Sequence, residues 1–363
     1  ADITTPYSAL ASRHGVTVVK DMAKSIDTRA KTVTLGGGAT IGYDKLIVSP
    51  GIQLMYSAYA GYSEAVARTA VPSGWIPGEQ TALLAKQLQG MRQGGTFVLA
   101  APPNPYRCPP GPYERACVVA DYLKRSKGTA AKVLVLDENL SIQAERHTFE
   151  TAFNQIHAGT IRYVSGVSHI SIQPATRSLS YSDAVGNSQV VVAKVINPIP
   201  PHRATGSGAT GWLTQAGLAN SANGKWAVVN VLSFESTAAG AAGVHVIGDA
   251  SQCGLPKAGH VANQEAKICA DAIVRALSGQ QPDPAPVANS ACYSPITAST
   301  ASWLTAVYQY DEVNKKFVVA NGDGKGNGGI TAGAKPVESA TISSKNFQQM
   351  NTWFNTLMGD SFA

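Results

Sequence analysis

Apolar and polar positions along the chain fall into blocks that predict strands and helices in a repeating order. Residues 14–19, HGVTVV, and the stretch from Ala30 to Gly51, AKTVTLGGGATIGYDKLIVSPG, have the β-branched character of strands, with Gly36, Gly37 and Gly38 turning the chain between two of them. YDKLIVSPG ends a buried apolar strand on Pro50 and Gly51, where a residue without Cβ lets a ligand approach the backbone. From Gly78 to Met91 the apolar residues recur at helical spacing, and Gly94 to Pro103 is a short apolar run leading into a proline-rich loop. Pro112 to Lys127 opens with proline at a first helical turn, places Glu114 just after it and closes on basic residues; AKVLVLDEN supplies the next strand, completing a βαβ unit. Beyond Thr160 the stretches TIRYVSGVSHISIQ, RSLSYSD and QVVVAKVINPIPP predict hairpins and one buried strand. The segment from Ala241 to Gly279 reads as an apolar strand, a Gly-Asp turn, a loop and a helix of roughly 18 residues. The fold class is therefore α/β.

Length and charge narrow the possibilities. At 363 residues the chain is too long for one core of about 100 to 200 residues, so several domains are expected. Its 14% charged and 44% hydrophobic residues are globular, and no run of about 18 apolar residues predicts a membrane span. The net charge of +6 is scattered rather than gathered into a stripe, which argues against nucleic acid as a partner. The five cysteines, at 108, 117, 253, 269 and 292, form no C-x-x-C pair and no C-x-x-C-H run. That excludes a covalently attached c-type haem on this chain and argues against a structural metal site. An odd count with few charges fits disulfides plus a spare thiol in an oxidising compartment.

Two segments carry the chemistry. A βαβ unit that cradles pyrophosphate needs G-x-G-x-x-G at its first turn, but here the turn reads APPNPYRCPPGPYE. Prolines offer no backbone N–H, so a nicotinamide nucleotide is disfavoured at this unit. In place of the glycines stands Cys108, a few residues before a helix N-terminus whose partial positive charge would stabilise a thiolate. In VHVIGDASQCGLPKAGHVAN, a strand ending at Gly248 and Asp249 puts a carboxylate at the carboxyl edge of a sheet, placed to accept from a ribityl hydroxyl and followed by a helix N-terminus. A turn or cap aspartate is the plainer reading of Asp249.

Taken together, VHVIGDASQCGLPKAGHVAN, APPNPYRCPPGPYERA, GYDKLIVSPGIQLMY, PGEQTALLAKQL, VINPIPPHRA, SACYSPI and TWFNTLMGDSFA resemble the flavin subunit of flavocytochrome c sulfide dehydrogenase and, more distantly, sulfide:quinone oxidoreductase. The resemblance implies a disulfide-oxidoreductase-like fold with two Rossmann-like domains and a small C-terminal α+β interface domain, divided as 1–75 with 196–280, 76–195, and 281–363. It implies a redox-active disulfide between Cys108 and Cys292, which are 184 residues apart (292 − 108), with Glu114 beside it as a proton carrier. Cys253 is the alternative partner of Cys108. Pro50, Gly51, Gly248, Asp249, Lys257, Gly259 and Trp353 are the implied flavin-facing positions. The cofactor so implied is FAD, with haem c on a partner cytochrome c subunit, sulfide as substrate and the periplasm as compartment. Sulfide:quinone oxidoreductase, or an assembly subunit without flavin, are the alternatives. Family chains open with a strand and a G-x-G-x-x-G turn and carry a cysteine covalently linked to FAD; this sequence reads as starting after them, which leaves the covalent link unassigned. Cys117 and Cys269 lie on apolar helical faces as packing residues, Glu114 and Trp353 also admit helix-dipole and packing roles, and His260 is set aside as a solvated or satisfied histidine.

Overall fold

The computed structural model describes residues 5–320 and 334–362. At its centre is a four-stranded parallel sheet in the order Val195–Pro198, Thr96–Ala101, Lys132–Asp137, Ile161–Ser165. Phe97–Ala101 and Val133–Asp137 are buried without a break, as continuous apolar strands of a parallel sheet must be when both faces are covered. Alternate side chains separate cleanly. Phe97, Leu99, Val133 and Val135 pack against Ala116, Cys117, Ala120 and Leu123 of the helix Gly111–Lys127. Val98, Ala100, Leu134 and Leu136 pack against Tyr59, Tyr62, Ile172 and Leu179, so that the other face is roofed by the antiparallel strands Ser168–Gln173, Ser178–Ser182 and Ser188–Val192.

Early and late parts of the chain meet in a second body. Leu46–Val48 pairs in parallel with Val244–Val246, and Ile52–Leu54 pairs antiparallel with His202–Ala204. The carboxyl ends of the first pair lead into Ser49–Gly51 and Gly248–Ala250, bringing the Pro50–Gly51 strand end and the Gly-Asp turn to one sheet edge. The helix Gly259–Leu277 follows, burying Val261, Glu265, Cys269 and Ala272 along one stripe. In the C-terminal part, Val287–Pro295 pairs with Ala301–Asp311, which also pairs with Lys316–Val319 and Val337–Glu338, and the helix Ser344–Phe362 closes the chain. Among the described residues no helix is long and apolar enough to cross a membrane.

The predicted Gly36–Gly38 turn joins Thr32–Leu35 to Thr40–Gly42, and an unforeseen strand, Ala23–Asp27, pairs on the far side of Thr32–Leu35. The strand expected at 14–19 is absent. A short helix, Ser8–His14, ends there on Gly15 in the left-handed region (φ 67°), and Val16, Val18 and Val19 are exposed. Without a neighbour to pair with, β-branched composition does not make a strand.

Candidate active site

The loop Pro102–Pro110 carries Cys108 from the end of a central strand to the start of the 111–127 helix. The Arg107 N–H donates to Nδ1 of His202 at 2.9 Å, the Cys108 N–H donates to the Lys257 carbonyl at 2.7 Å, and the Gly111 N–H donates to the Cys108 carbonyl at 2.9 Å. Cys108 is thereby held at φ 60°, a left-handed conformation that a residue with a Cβ adopts only when its surroundings impose it. Gly111 is required here for space: a Cβ would lie 2.6 Å from Cη2 of Trp75 and 3.0 Å from the Cys108 sulfur. Trp75 is held in turn by Arg115, whose guanidinium lies 4.8 Å from the ring centroid and donates to the carbonyls of Ser73 and Gly74.

Cys292, in the strand Val287–Pro295, packs against the same core as Cys108 and is near enough to bear electrostatically on the Cys108 thiol. Three carboxyl groups surround or flank this region. Burial pushes half-buried Glu114 up to about 7 and Glu145 up to about 8, while Glu338 bears electrostatically on Glu145. Cys292 is raised to about 12, first by burial and then by Glu145 and Glu114.

All five cysteines are free thiols in this structure. One expectation is corrected here. The helix N-terminus does not set the state of Cys108: burial, followed by the Glu114 carboxylate and Cys292, drives its pKa upward, and the Gly111 amide offsets only part of that rise. A dipole contribution of about 0.3–1 kcal/mol yields to the cost of burying a charge beside like charge. Cys253 turns elsewhere, donating to Oε1 of Glu265 at 3.2 Å. Cys117 and Cys269 are fully buried within the core.

At the neighbouring sheet edge, Gly51 (φ 68°) faces open space, and a Cβ on Gly248 (φ 70°) would meet Ser49 Oγ at 3.2 Å. The Gly248 N–H donates to Oε2 of Glu265 at 2.6 Å. The half-buried Asp249 carboxylate makes no hydrogen bond among the described residues, so it caps neither turn nor helix; burial raises its pKa. Two glycines in left-handed turns, Gly51 facing open space, and a carboxylate without a hydrogen bond among the described residues at the carboxyl edge of parallel strands fit a flavin nucleotide. Lys257 Nζ donates to the carbonyls of Asp249 and Ser251, at 2.7 and 2.8 Å, and lies 3.9 Å from the Trp226 ring centroid, which fixes the loop after Asp249. Trp353 meets His260 and Tyr293, at 6.0 and 5.5 Å between ring centroids, joining the start of the 259–277 helix to the residue after Cys292. His260 is a tether: its Nδ1 accepts from the Ala291 N–H at 2.9 Å.

A nicotinamide nucleotide finds no counterpart to this edge in the central sheet. Asp137, at the end of its strand, is the carboxylate that a dinucleotide fold would turn toward a ribose, but here it accepts from Tyr113, Tyr163 and Asn139 in full burial.

Comparison with known proteins identifies the centre of the chain. Residues 81–200 match the family model for the central part of the sulfide dehydrogenase (flavocytochrome c) flavoprotein chain. The resemblance read from the sequence is borne out there, over 120 of 363 residues. The fold as a whole is similar to the solved structure of sulfide:quinone oxidoreductase from the hyperthermophilic bacterium Aquifex aeolicus, at 20% identity and a TM-score of 0.70 over 95% of this chain and 76% of that one. It is also similar to a NAD-dependent persulfide reductase from A. fulgidus, at 12% identity and a TM-score of 0.54 over 98% of this chain and 64% of that one. These likenesses establish the disulfide-oxidoreductase fold.

Sequence reading missed Glu145, Glu265 and His202. Glu265 had a signal: it is the one acid on the stripe Val261, Glu265, Cys269, Ala272, where a carboxyl must find donors. Glu145 and His202 had none, because their partners Ser294 and Arg107 are 149 and 95 residues away in sequence.

Proposed function

We propose that the chain is a flavin-dependent sulfide oxidoreductase that works in the periplasm and passes electrons to a separate cytochrome c subunit. The observation carrying this reading is the convergence of Cys108 and Cys292, from opposite parts of the chain, between Glu114 and Glu145 and against the same core as the Gly51–Gly248 edge. The segments 1–75 with 196–280 would hold FAD, 76–195 would carry Cys108, and 281–363 would supply Cys292 and the cytochrome-facing surface.

In its oxidised form the pair would be a disulfide. Cys292 lines a cavity of about 280 Å³ bounded by Pro109, Pro110, Leu304, Ala306 and Tyr308, so hydrosulfide would reach Cys292 first. Its attack forms one S–S bond and breaks another, leaving a persulfide on Cys292 and a thiolate on Cys108. The Gly111 amide favours that thiolate, and Glu114 exchanges its proton. When the persulfide and thiolate close again to a disulfide, zero-valent sulfur leaves and two electrons are released. Bound FAD supplies their acceptor. Gly51, Gly248 and Asp249 would hold it, with Glu265 and Lys257 fixing the turn, and Trp353 and His260 would tie the Cys292 strand to the helix beside it.

The test is sulfide-dependent reduction of cytochrome c by the purified complex and by its Cys108→Ser and Cys292→Ser variants. Loss of turnover in both is expected. Turnover undiminished in either variant would refute the thiol route, and transfer to a quinone instead of cytochrome c would overturn the assigned acceptor.

A further inference from the structure

Glu145 is placed as no structural carboxyl needs to be. It is 2% exposed and held at φ 50° immediately before the helix Arg146–Thr151. One oxygen, Oε1, accepts from Ser294 Oγ at 2.6 Å; the other, Oε2, is buried without a hydrogen-bond partner among the described residues. An unsatisfied buried carboxyl oxygen costs free energy that a purely structural role would not retain. Ser294 is two residues beyond Cys292 in one strand, so both side chains leave the sheet on the same face. That face closes the cavity of about 280 Å³, which Glu145 and Cys292 both line.

Resting on the function proposed above, we propose that Glu145 is the proton-exchanging group on the Cys292 side of the pair: it takes a proton from hydrogen sulfide entering this cavity, so that hydrosulfide forms beside the sulfur it attacks. The step balances as hydrogen sulfide plus the Glu145 carboxylate giving the hydrosulfide anion plus the carboxylic acid, and the proton later returns to solvent. The two sulfurs then have one carboxyl each. Glu114 is the leading charged influence on Cys108, and Glu145 the leading one on Cys292. Burial moves both carboxyls toward neutrality, to about 7 and about 8, where a group gives and takes protons near working pH. The other groups facing Glu145 do not displace it. Glu338 accepts from the Thr148 N–H at 2.9 Å, Arg146 is paired with Glu150 at 2.7 Å, and Lys335 and Tyr308 line the same cavity.

The test reads the thiol directly and needs no turnover. Reduced protein is alkylated with iodoacetamide between pH 6 and 10, and the rate at Cys292 is followed by peptide mass. In the wild type Glu145 is neutral below about pH 8 and charged above it, where it suppresses the Cys292 thiolate. Glu145→Gln should react like the wild type at pH 6 and faster above pH 8, by about tenfold, the change a one-unit fall in thiol pKa produces. Equal rates throughout would overturn the proposal. Should the Gln variant fail to fold, Ser294→Ala serves: it removes the hydrogen bond that favours the carboxylate, so the pH at which Cys292 alkylation slows should move upward, and an unmoved break would overturn the proposal equally. Wild-type protein that does not oxidise sulfide at all would instead refute the functional reading, leaving the alkylation result to stand alone.

Discussion

Glu265→Gln should make the protein's stability less sensitive to pH. The carboxyl is 3% exposed, accepts from the Gly248 N–H at 2.6 Å and the Cys253 thiol at 3.2 Å, and burial pushes it from an ordinary 4.5 up to about 7. A carboxyl raised in this way keeps its proton in the folded state after the unfolded chain has lost it. Its contribution to stability is therefore full below about pH 4.5 and is lost as pH rises through about 7. At about 1.4 kcal/mol per pH unit the loss is about 3 kcal/mol. Glutamine retains an acceptor for the Gly248 N–H but cannot titrate. The variant should be less stable than wild type at pH 4.5 by about 1 kcal/mol, the worth of an imperfect hydrogen bond, and should gain on wild type by about 3 kcal/mol by pH 8. Glu114, Glu138 and Glu145 are also raised, but they titrate alike in both proteins and cancel in the difference. Urea denaturation of both proteins across this range measures the difference. Parallel stability curves would refute the reasoning, since they would mean that Glu265 does not change protonation on folding over this range.

Two further outcomes follow from the same geometry. Gly111→Ala places a Cβ 2.6 Å from the Trp75 ring and 3.0 Å from the Cys108 sulfur, and should cost about 1–3 kcal/mol in thermal unfolding despite alanine's better helix propensity, with a changed Cys108 alkylation rate; an unchanged midpoint and rate would contradict the crowding. Asp249→Ala removes a half-buried carboxylate that makes no hydrogen bond among the described residues and whose burial outweighs the pull of Arg107 and Lys257, so it should lower flavin absorbance per chain after purification while leaving the unfolding midpoint of the flavin-free protein unchanged or slightly higher; full flavin retention would contradict the assignment.

What the sequence made legible was what depends on local pattern. Phe97–Ala101 and Val133–Asp137 read as buried strands because both faces of a parallel strand must be apolar, and the helix Gly259–Leu277 read clearly because its start follows a Gly-Asp turn. Cys108 was visible through its place before a helix. Its protonation was not, because it depends on burial in which Trp75 takes part and on the charge of Cys292, both arriving from other parts of the chain, as well as on nearby Glu114. For the same reason Glu145 was silent: its hydrogen bond crosses 149 residues to Ser294. Val16–Val19 misled in the opposite way, since their strand-like composition meets no partner strand among the described residues. Lys257 was found, but the two carbonyls of its own loop that hold its ammonium gave no sign in the sequence.

The sharpest experiment on the sulfide-oxidising dithiol is an anaerobic sulfide titration of the purified complex, following flavin absorbance together with the masses of the Cys108 and Cys292 peptides. A Cys108–Cys292 cross-link is expected before sulfide, and on titration a persulfide mass at Cys292 that rises as the flavin band bleaches. Bleaching while both cysteines remain unmodified thiols, or an intact cross-link that sulfide neither opens nor couples to the flavin, would contradict it.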